Sequence, residues 1–271
     1  MSAFHAPAGH SGPTMLPSGT FEGRVAVVTG GSSGIGETMA RHLAALGAAT
    51  VLFGRRAEAV EAVAESIRRD GGEASAFAAD VRDRGRVEEV MGLAVERYGR
   101  IDHLVNNAAG NFRVAPEEMS PNAWNAVTRI VLDGSWHCTQ TVGRHLIERG
   151  GGGSVVSIGT TPALYGAADT AHSASAKAGV LAMTKSLALA WGHHGIRLNV
   201  VTPGLTEDTG AVSQLFPDPD DYRANLAKIP AGRHANRDEI ATAVTYLLSD
   251  HASYITGQNL VIDGGRSLGI G

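Results

Sequence analysis

Residues 24–36 read RVAVVTGGSSGIG, and this stretch limits the possible fold more than any other. Val25, Ala26, Val27 and Val28 make a short apolar, mostly β-branched run, the pattern of a strand buried on both faces. A glycine-rich segment follows at once. Apolar residues then recur at helical spacing, at Ile35, Met39, Leu43 and Leu46. A strand, a glycine loop and a helix start in that order aim free backbone N–H groups and the positive end of a helix at one point. A pyrophosphate suits such a point. Gly34 and Gly36 predict close approach of backbone to phosphate and of helix to strand. The spacing is T-G-x3-G-x-G, not the common G-x-G-x-x-G, so the prediction rests on the strand–loop–helix setting.

The 271 residues suffice for one large α/β domain with a sizeable core. Hydrophobic residues make up 43% and charged residues 18%, a globular balance. The net charge of −4 leaves no basic field for nucleic acid or an anionic membrane surface. No apolar run has the length of a membrane span. The single Cys138 excludes an internal disulfide and a cysteine-based zinc site, and its apolar surroundings predict a packed core thiol. No metal is expected. Residues 1–18, rich in Ala, Gly, Pro, Ser and His, lack a secretory pattern and predict a flexible arm ahead of a domain over 19–271. A cytoplasmic location is expected.

Strands and helices alternate along the chain. Residues 50–53 predict a second strand, 57–69 an amphipathic helix, 74–79 a third strand and 87–98 a helix. Residues 101–105 and 154–158 predict further strands, 171–191 a long helix, 196–201 a sixth strand and 259–262 the last. Ser120, as N-cap before Pro121, opens a helix expected to run to about 148; its apolar residues on several sides suggest a subunit interface as well as core. The last helix is expected over 238–250, and 205–235 is read as an irregular, Pro- and Asp-rich lid insertion. Alternation of this kind implies parallel pairing with right-handed crossovers. The expected fold class is α/β, a single-domain Rossmann fold with a doubly wound parallel sheet of about seven strands and helices on both faces.

Loop residues at the strand ends carry the chemistry. Arg55 and Arg56 follow the second strand, where an acid would accept from a ribose 2′-hydroxyl and an arginine favours a 2′-phosphate. NADPH is therefore the expected cofactor. Asp80 ends the third strand and suits either the adenine amino group or a helix N-cap. The small residues after Asn106 would let a nicotinamide ribose approach, while the amides of Asn106 and Asn107 would also tie strand ends together.

Taken together, T-G-x3-G-x-G, Asp80, the run from Asn106 to Gly110, Ser173 with Lys177, Pro203-Gly204 and Val261-Ile262-Asp263-Gly264-Gly265 resemble the short-chain dehydrogenases/reductases over residues 19–265. Three passages, NNAAGNF from Asn106, SPNAW from Ser120 and SASAKAG from Ser173, look like the 2,4-dienoyl-CoA reductases within that family. The resemblance implies that Gly30, Ser32, Ser33, Gly34 and Ile35 hold phosphates, and that Pro203, Gly204, Leu205 and Thr206 hold phosphate and nicotinamide. It places Arg55, with Arg56, at the 2′-phosphate and Asp80 and Val81 at the adenine. Asn107 and Ala108 lie beside the nicotinamide ribose, and Lys177 bonds that ribose and stabilises charge. It sets Ser173 and Phe112 against substrate, Arg82 toward the CoA end and Asp133 in a proton-relay region. It also implies a homotetramer.

The sequence departs from the family at three places. Most members carry Tyr four residues before the Lys; here that position is Ser173. Ketone reduction makes an alkoxide and needs a positioned acid, whose loss costs about 10²–10⁴-fold. Reduction of a conjugated thioester sends charge to the thioester oxygen as an enolate, which needs hydrogen-bond donors, and protonation at carbon follows. The mitochondrial-type dienoyl reductases carry their Tyr fifteen residues before the Lys, and here that position is Pro162. Tyr165 and Asp133 are the candidate replacements, with Tyr165 also readable as a packed loop aromatic and Asp133 as a surface carboxylate; a partnered Asp133 would have a raised pKa. His172 reads as a structural histidine or a base, and Thr160 stands where the wider family has its catalytic Ser. Finally, Gln214 replaces a lid arginine, and Glu207 and Asp208 stand where that type has Lys, which disfavours a CoA phosphate and leaves a carrier-protein thioester or a smaller enoyl substrate open. The expected function is NADPH-dependent reduction of a conjugated acyl thioester, 2,4-dienoyl-CoA or a related enoyl-CoA. A ketone/alcohol oxidoreductase with a relocated proton donor and a non-catalytic NADPH-binding protein are the alternatives.

Overall fold

Successive residues of the first strand go to opposite faces of a sheet. Ala26 and Val28 enter one apolar layer, Val25 and Val27 the other, and all four are buried. This strand, β1 (Val25–Thr29), is central in a computed structural model that describes residues 15–207, 209 and 218–269. Residues 1–14 of the expected arm, Asp208 and Gln214 lie outside the described residues. The other strands are β2 (Ala49–Gly54), β3 (Glu73–Ala78), β4 (His103–Asn106), β5 (Gly153–Ile158), β6 (Ile196–Pro203) and β7 (Asn259–Ile262). Their order is β3-β2-β1-β4-β5-β6-β7, with every pairing parallel. The order changes direction between β1 and β4, and a crevice opens there at the carboxyl ends of the strands. The doubly wound α/β fold is as the alternation predicts.

Helix α1 (Gly34–Ala45) packs on one face of the sheet, next to α2 (Ala57–Arg69). Met39, Leu43, Val63 and Ile67 are buried there. On the opposite face α3 (Arg84–Tyr98) contributes Val87, Val90 and Met91. The expected single helix over 120–148 is instead α4 (Pro121–Thr128), one π-helical turn over Arg129–Asp133, and α5 (Gly134–Arg149). Ser120 does cap it, accepting from Ala123 N at 3.1 Å. Cys138 is fully buried in this layer, and burial pushes its thiol pKa up, as a packed core thiol requires.

A short α6 (Pro162–Tyr165) follows β5, and α7 (Ala171–Trp191) has the extent its sequence predicts. The segment expected to be irregular contains a helix, α8 (Pro219–Leu226), started by Asp218 accepting from Asp220 N at 2.7 Å. The two ends of that segment are pinned together. Thr206 and Ala235 form a parallel bridge, with Ala235 N donating to Leu205 O (3.0 Å) and Glu207 N to Ala235 O (2.9 Å). Helix α9 (Arg237–Leu248) then returns to the α1 face, opened by an Asn236–Glu239 capping box. None of the described helices is long and apolar enough to cross a membrane.

Candidate active site

The loop after β1 is built around Thr29. Its hydroxyl accepts from Asn107 N and Ala108 N, both at 3.0 Å, and donates to Val105 O at 3.3 Å. Asn107 Nδ2 returns two bonds, to Thr29 O and Gly30 O at 3.1 Å. The ends of β1 and β4 are thereby locked side by side, the tying role the sequence allows for these amides. Asn106 does the same one layer deeper, donating to Thr139 Oγ1 at 2.8 Å and Ser157 Oγ at 3.3 Å.

Gly34 starts α1 with φ +57°, and a Cβ at Gly36 would run into Gly30 O and the Asn107 side chain. Ser33, the N-cap, makes no side-chain capping bond. The first amides of α1 therefore remain available to an anion.

These loops open onto a cleft of about 1140 Å³. Gly30, Ser32, Ser33, Gly34 and Ile35 line one end. Arg55 and Arg56 line it beyond β2, both exposed, and neither makes a side-chain hydrogen bond or ion pair among the described residues. Asp80 and Val81 line it beyond β3, and Asn107 and Ala108 beyond β4. Pro203, Gly204, Leu205 and Thr206 close the floor. A phosphorylated dinucleotide fits this donor set: uncapped helix amides for a pyrophosphate, uncommitted guanidinium groups for a phosphate on the adenosine ribose, and small residues between.

Lys177, Ser173, Thr160 and Tyr165 share the same cleft. Lys177 is buried on α7, its ammonium donating to Ile158 O at the end of β5. Burial pulls its pKa down from 10.5 to about 8. Ser173, one turn earlier, is 6% exposed. Tyr165, at the end of α6, stands 40% exposed at the rim, so it is not a fully packed aromatic.

Three expected site residues do not join them. Asp133 is exposed and outside the cleft, because the buried face of its helix runs through Val127, Val131, Ser135 and Cys138 and leaves Asp133 on the other side. Phe112 is 37% exposed and turns its ring onto the buried His172, centroids 4.7 Å apart, instead of lining the cleft. Arg82 is committed to Asp80, with its Nε 3.0 Å from each carboxylate oxygen and its Nη2 2.6 Å from Oδ2. That pairing holds the Asp80 carboxyl below its usual range. Asp80 is not the helix N-cap either; Asp83 is, accepting from Arg86 N at 3.0 Å. His172 Nδ1 accepts from Ser173 N at 2.8 Å, and burial lowers the pKa of this histidine.

The sequence reading missed Arg113, Asp169, Thr170, Asn225 and Arg266, which also line the cleft. Arg113 pairs with Asp169 (3.2 Å) and with Asp221 on α8 (3.7 Å), joining two loops and a helix that are far apart in the chain. No periodicity marks such residues. The one available signal was position, since Arg113 directly follows Asn111-Phe112 and Arg266 directly follows Asp263-Gly264-Gly265.

A family model described as "Enoyl-(Acyl carrier protein) reductase" matches residues 30–267. A probable 2,4-dienoyl-CoA reductase [(2E)-enoyl-CoA-producing] of Bacillus subtilis is 40% identical over 91% of this chain and 98% of its own. D-threitol dehydrogenase of Mycolicibacterium smegmatis is 38% identical over 91% of this chain and 94% of its own. The crystal structure of a short chain dehydrogenase from Bacillus anthracis superposes with a TM-score of 0.86 at 40% identity, covering 91% of this chain and 97% of that one. With its sheet order, its glycine loop and its cleft lysine, this chain belongs to the short-chain dehydrogenase/reductase family of nicotinamide-dependent oxidoreductases.

Proposed function

We propose that this protein is an NADPH-dependent reductase of conjugated acyl thioesters, acting on a 2,4-dienoyl-CoA or a related enoyl-CoA. The observation that carries the reading is Ser173. It lines the cleft one turn before the buried Lys177, where the wider family places the phenol that protonates an alkoxide. A pocket that reduces an alkene carbon does not need that acid at that position. It needs donors around the thioester oxygen, where the enolate charge gathers. Lys177, Ser173 and Thr160 supply an ammonium and two hydroxyls on the walls of one cleft. The similarity to a probable 2,4-dienoyl-CoA reductase supports the same choice.

NADPH supplies the hydride when bound. Arg55 and Arg56 meet its 2′-phosphate, Asp80 and Val81 its adenine side, and the start of α1 its pyrophosphate. Lys177, charged at pH 7, bonds the nicotinamide ribose and holds the negative charge that develops on the substrate oxygen. Tyr165, at the cleft rim, delivers the proton to carbon in place of the missing phenol. Residues 205–235, pinned at the Thr206–Ala235 bridge, act as the lid that excludes water. The chain works in the cytoplasm as a homotetramer.

A second reading keeps Tyr165 as the relocated acid of a ketone or alcohol oxidoreductase, and the likeness to D-threitol dehydrogenase favours it. One panel separates the two. The purified protein is incubated with NADPH or NADH and with dienoyl-, enoyl- and 3-oxoacyl thioesters, and nucleotide oxidation is followed. Turnover of the dienoyl or enoyl thioester with NADPH is expected. Turnover of 3-oxoacyl substrates alone, abolished in Tyr165→Phe, supports the second reading.

A further inference from the structure

Among the described residues four arginines line the cleft, and three are accounted for. Arg55 and Arg56 stand at the adenine end beyond β2. Arg113 is matched by Asp169 and Asp221. The fourth, Arg266, is half-buried, and its side chain has no hydrogen-bond or ion-pair partner among the described residues. A half-buried guanidinium without a carboxylate has lost hydration without recovering it from the protein, which is the state of a group that awaits an anion.

Its backbone is fixed. The Asp263 carboxylate, 9% exposed, accepts from Gly265 N at 2.9 Å and from Ser267 N at 2.7 Å. Arg266 N donates to Asp263 O at 3.1 Å. The turn rests on the base of the lid segment, where a Cβ at Gly264 would lie 2.8 Å from Ile229 Cγ2. Asn225 and Ile229, from that segment, line the cleft with Arg266.

Strand order separates Arg266 from the pyrophosphate loop after β1, while its own turn packs on Gly204 after β6. The glycine loop follows β1, Lys177 reaches the end of β5, and Arg266 follows β7. Four inter-strand spacings of ~4.8 Å put roughly 19 Å between the ends of β1 and β7. Arg266 is thus on the far side of Lys177 from the pyrophosphate loop, on the substrate side and beside the lid. The carboxylates of α8 do not oppose an anion there at full strength, because Asp221 is paired with Arg113 and Asp220 with Arg223.

The geometry points to Arg266 as the residue that recognises a phosphate of the CoA moiety, a contact made from the C-terminal turn instead of from the lid. This rests on the acyl-thioester reading above and says which form of thioester the cleft selects: a phosphate-bearing carrier over a bare pantetheine. It also supplies a cation that the sequence lacks at positions 207, 208 and 214.

The experiment compares one dienoyl group presented as its CoA thioester and as its phosphate-free pantetheine thioester, with wild type, Arg266→Met and Arg266→Lys. In Arg266→Met the ratio of kcat/KM for CoA over pantetheine thioester is expected to fall about tenfold, through KM for the CoA form, and Arg266→Lys to restore part of it. KM for NADPH, measured in parallel, is expected to stay within about twofold of wild type. An unchanged ratio, or a rise in KM for NADPH of the same size, overturns the assignment: the phosphate is then unread or belongs to the nucleotide. Wild type that reduces neither thioester but does reduce ketones overturns the acyl-thioester reading itself, and the assignment with it.

Discussion

Lys177 carries its charge where charge is expensive. It is 5% exposed, its ammonium donates to a strand-end carbonyl, and burial sets its pKa at about 8. An ammonium with that pKa is largely protonated at pH 7 and largely neutral above pH 9. Its role as donor to the ribose and to the substrate oxygen requires the proton, so activity is lost as pH rises through the folded pKa. With the nicotinamide nucleotide as the varied ligand, kcat/KM reports the free enzyme. A descending limb centred near pH 8 is expected. Lys177→Met should lower kcat/KM by on the order of 10²–10³-fold and abolish the limb, and Lys177→Arg should move it out of range. A profile flat to pH 10 in the wild type would show that the charge of Lys177 is not used.

The elements that hold these residues differ in how openly the sequence declares them. Residues 24–36 combine a β-branched run, glycines and an apolar helical repeat, all local signals, and β1 and α1 form where those signals lie. Helix α7 and strand β7 have the limits their sequences predict, because helix and strand patterns both end at strong breaks. The π-helical turn at 129–133 was not legible: it inserts one extra residue per turn without any change in composition, and Gly134, which follows it, leaves no room for a Cβ against Val81. Asp133, readable from the sequence as a relay carboxylate or a surface one, is exposed and outside the cleft. Arg113 was invisible for a related reason, since an ion pair such as Arg113–Asp221 arises only when distant segments meet. The close packing of α1 on the loop gives the prediction at this scale. Gly36→Ala should cost about 1–3 kcal/mol, read as a lowered urea midpoint, and should weaken nucleotide binding, because a methyl there forces apart Gly30 and Asn107. Gly34→Ala adds a Cβ with nothing nearer than Thr209 at 3.8 Å, so its cost is limited to backbone strain of about 1 kcal/mol. Equal stability of Gly36→Ala and wild type would contradict the close approach.

At the scale of the molecule the two ends of the sheet have different work. The carboxyl ends carry the cleft, while the amino ends are closed by a buried ionic clasp. Asp102, with no exposed side chain, accepts from Val25 N at 2.9 Å and is flanked by Arg100, Arg24 at 3.6 Å and Arg149 at 3.3 Å. Burial alone would raise its pKa, but the Arg100 hydrogen bonds and the Val25 amide hold it below the ordinary value. Beside it His103 is buried neutral, its pKa lowered by burial from 6.5 to about 4. Both groups have depressed folded-state values, so both contribute stability at neutral pH that is lost on acidification. The His103 part is complete above pH 6.5 and disappears between 6.5 and 4, at roughly 3 kcal/mol. The Asp102 part goes only below about pH 4. Urea unfolding from pH 7 to 4 should show a steady fall, and His103→Gln should flatten part of the slope above pH 5, the remainder belonging to His145, His172 and His234, whose values are lowered too. A slope unaltered by His103→Gln would place the acid sensitivity elsewhere.

The site at the other end of the sheet is proposed to shelter an enolate oxygen, which is why Ser can stand at 173. The direct measurement is where the hydride goes. The protein is supplied with NADPH deuterated at the transferred position and with an equimolar mixture of a 2,4-dienoyl thioester and a 3-oxoacyl thioester of the same chain length, and the products are read by mass spectrometry and NMR. The account predicts deuterium on a former alkene carbon and loss of the dienoyl absorbance. Deuterium only on a carbinol carbon, with the diene untouched, would contradict it.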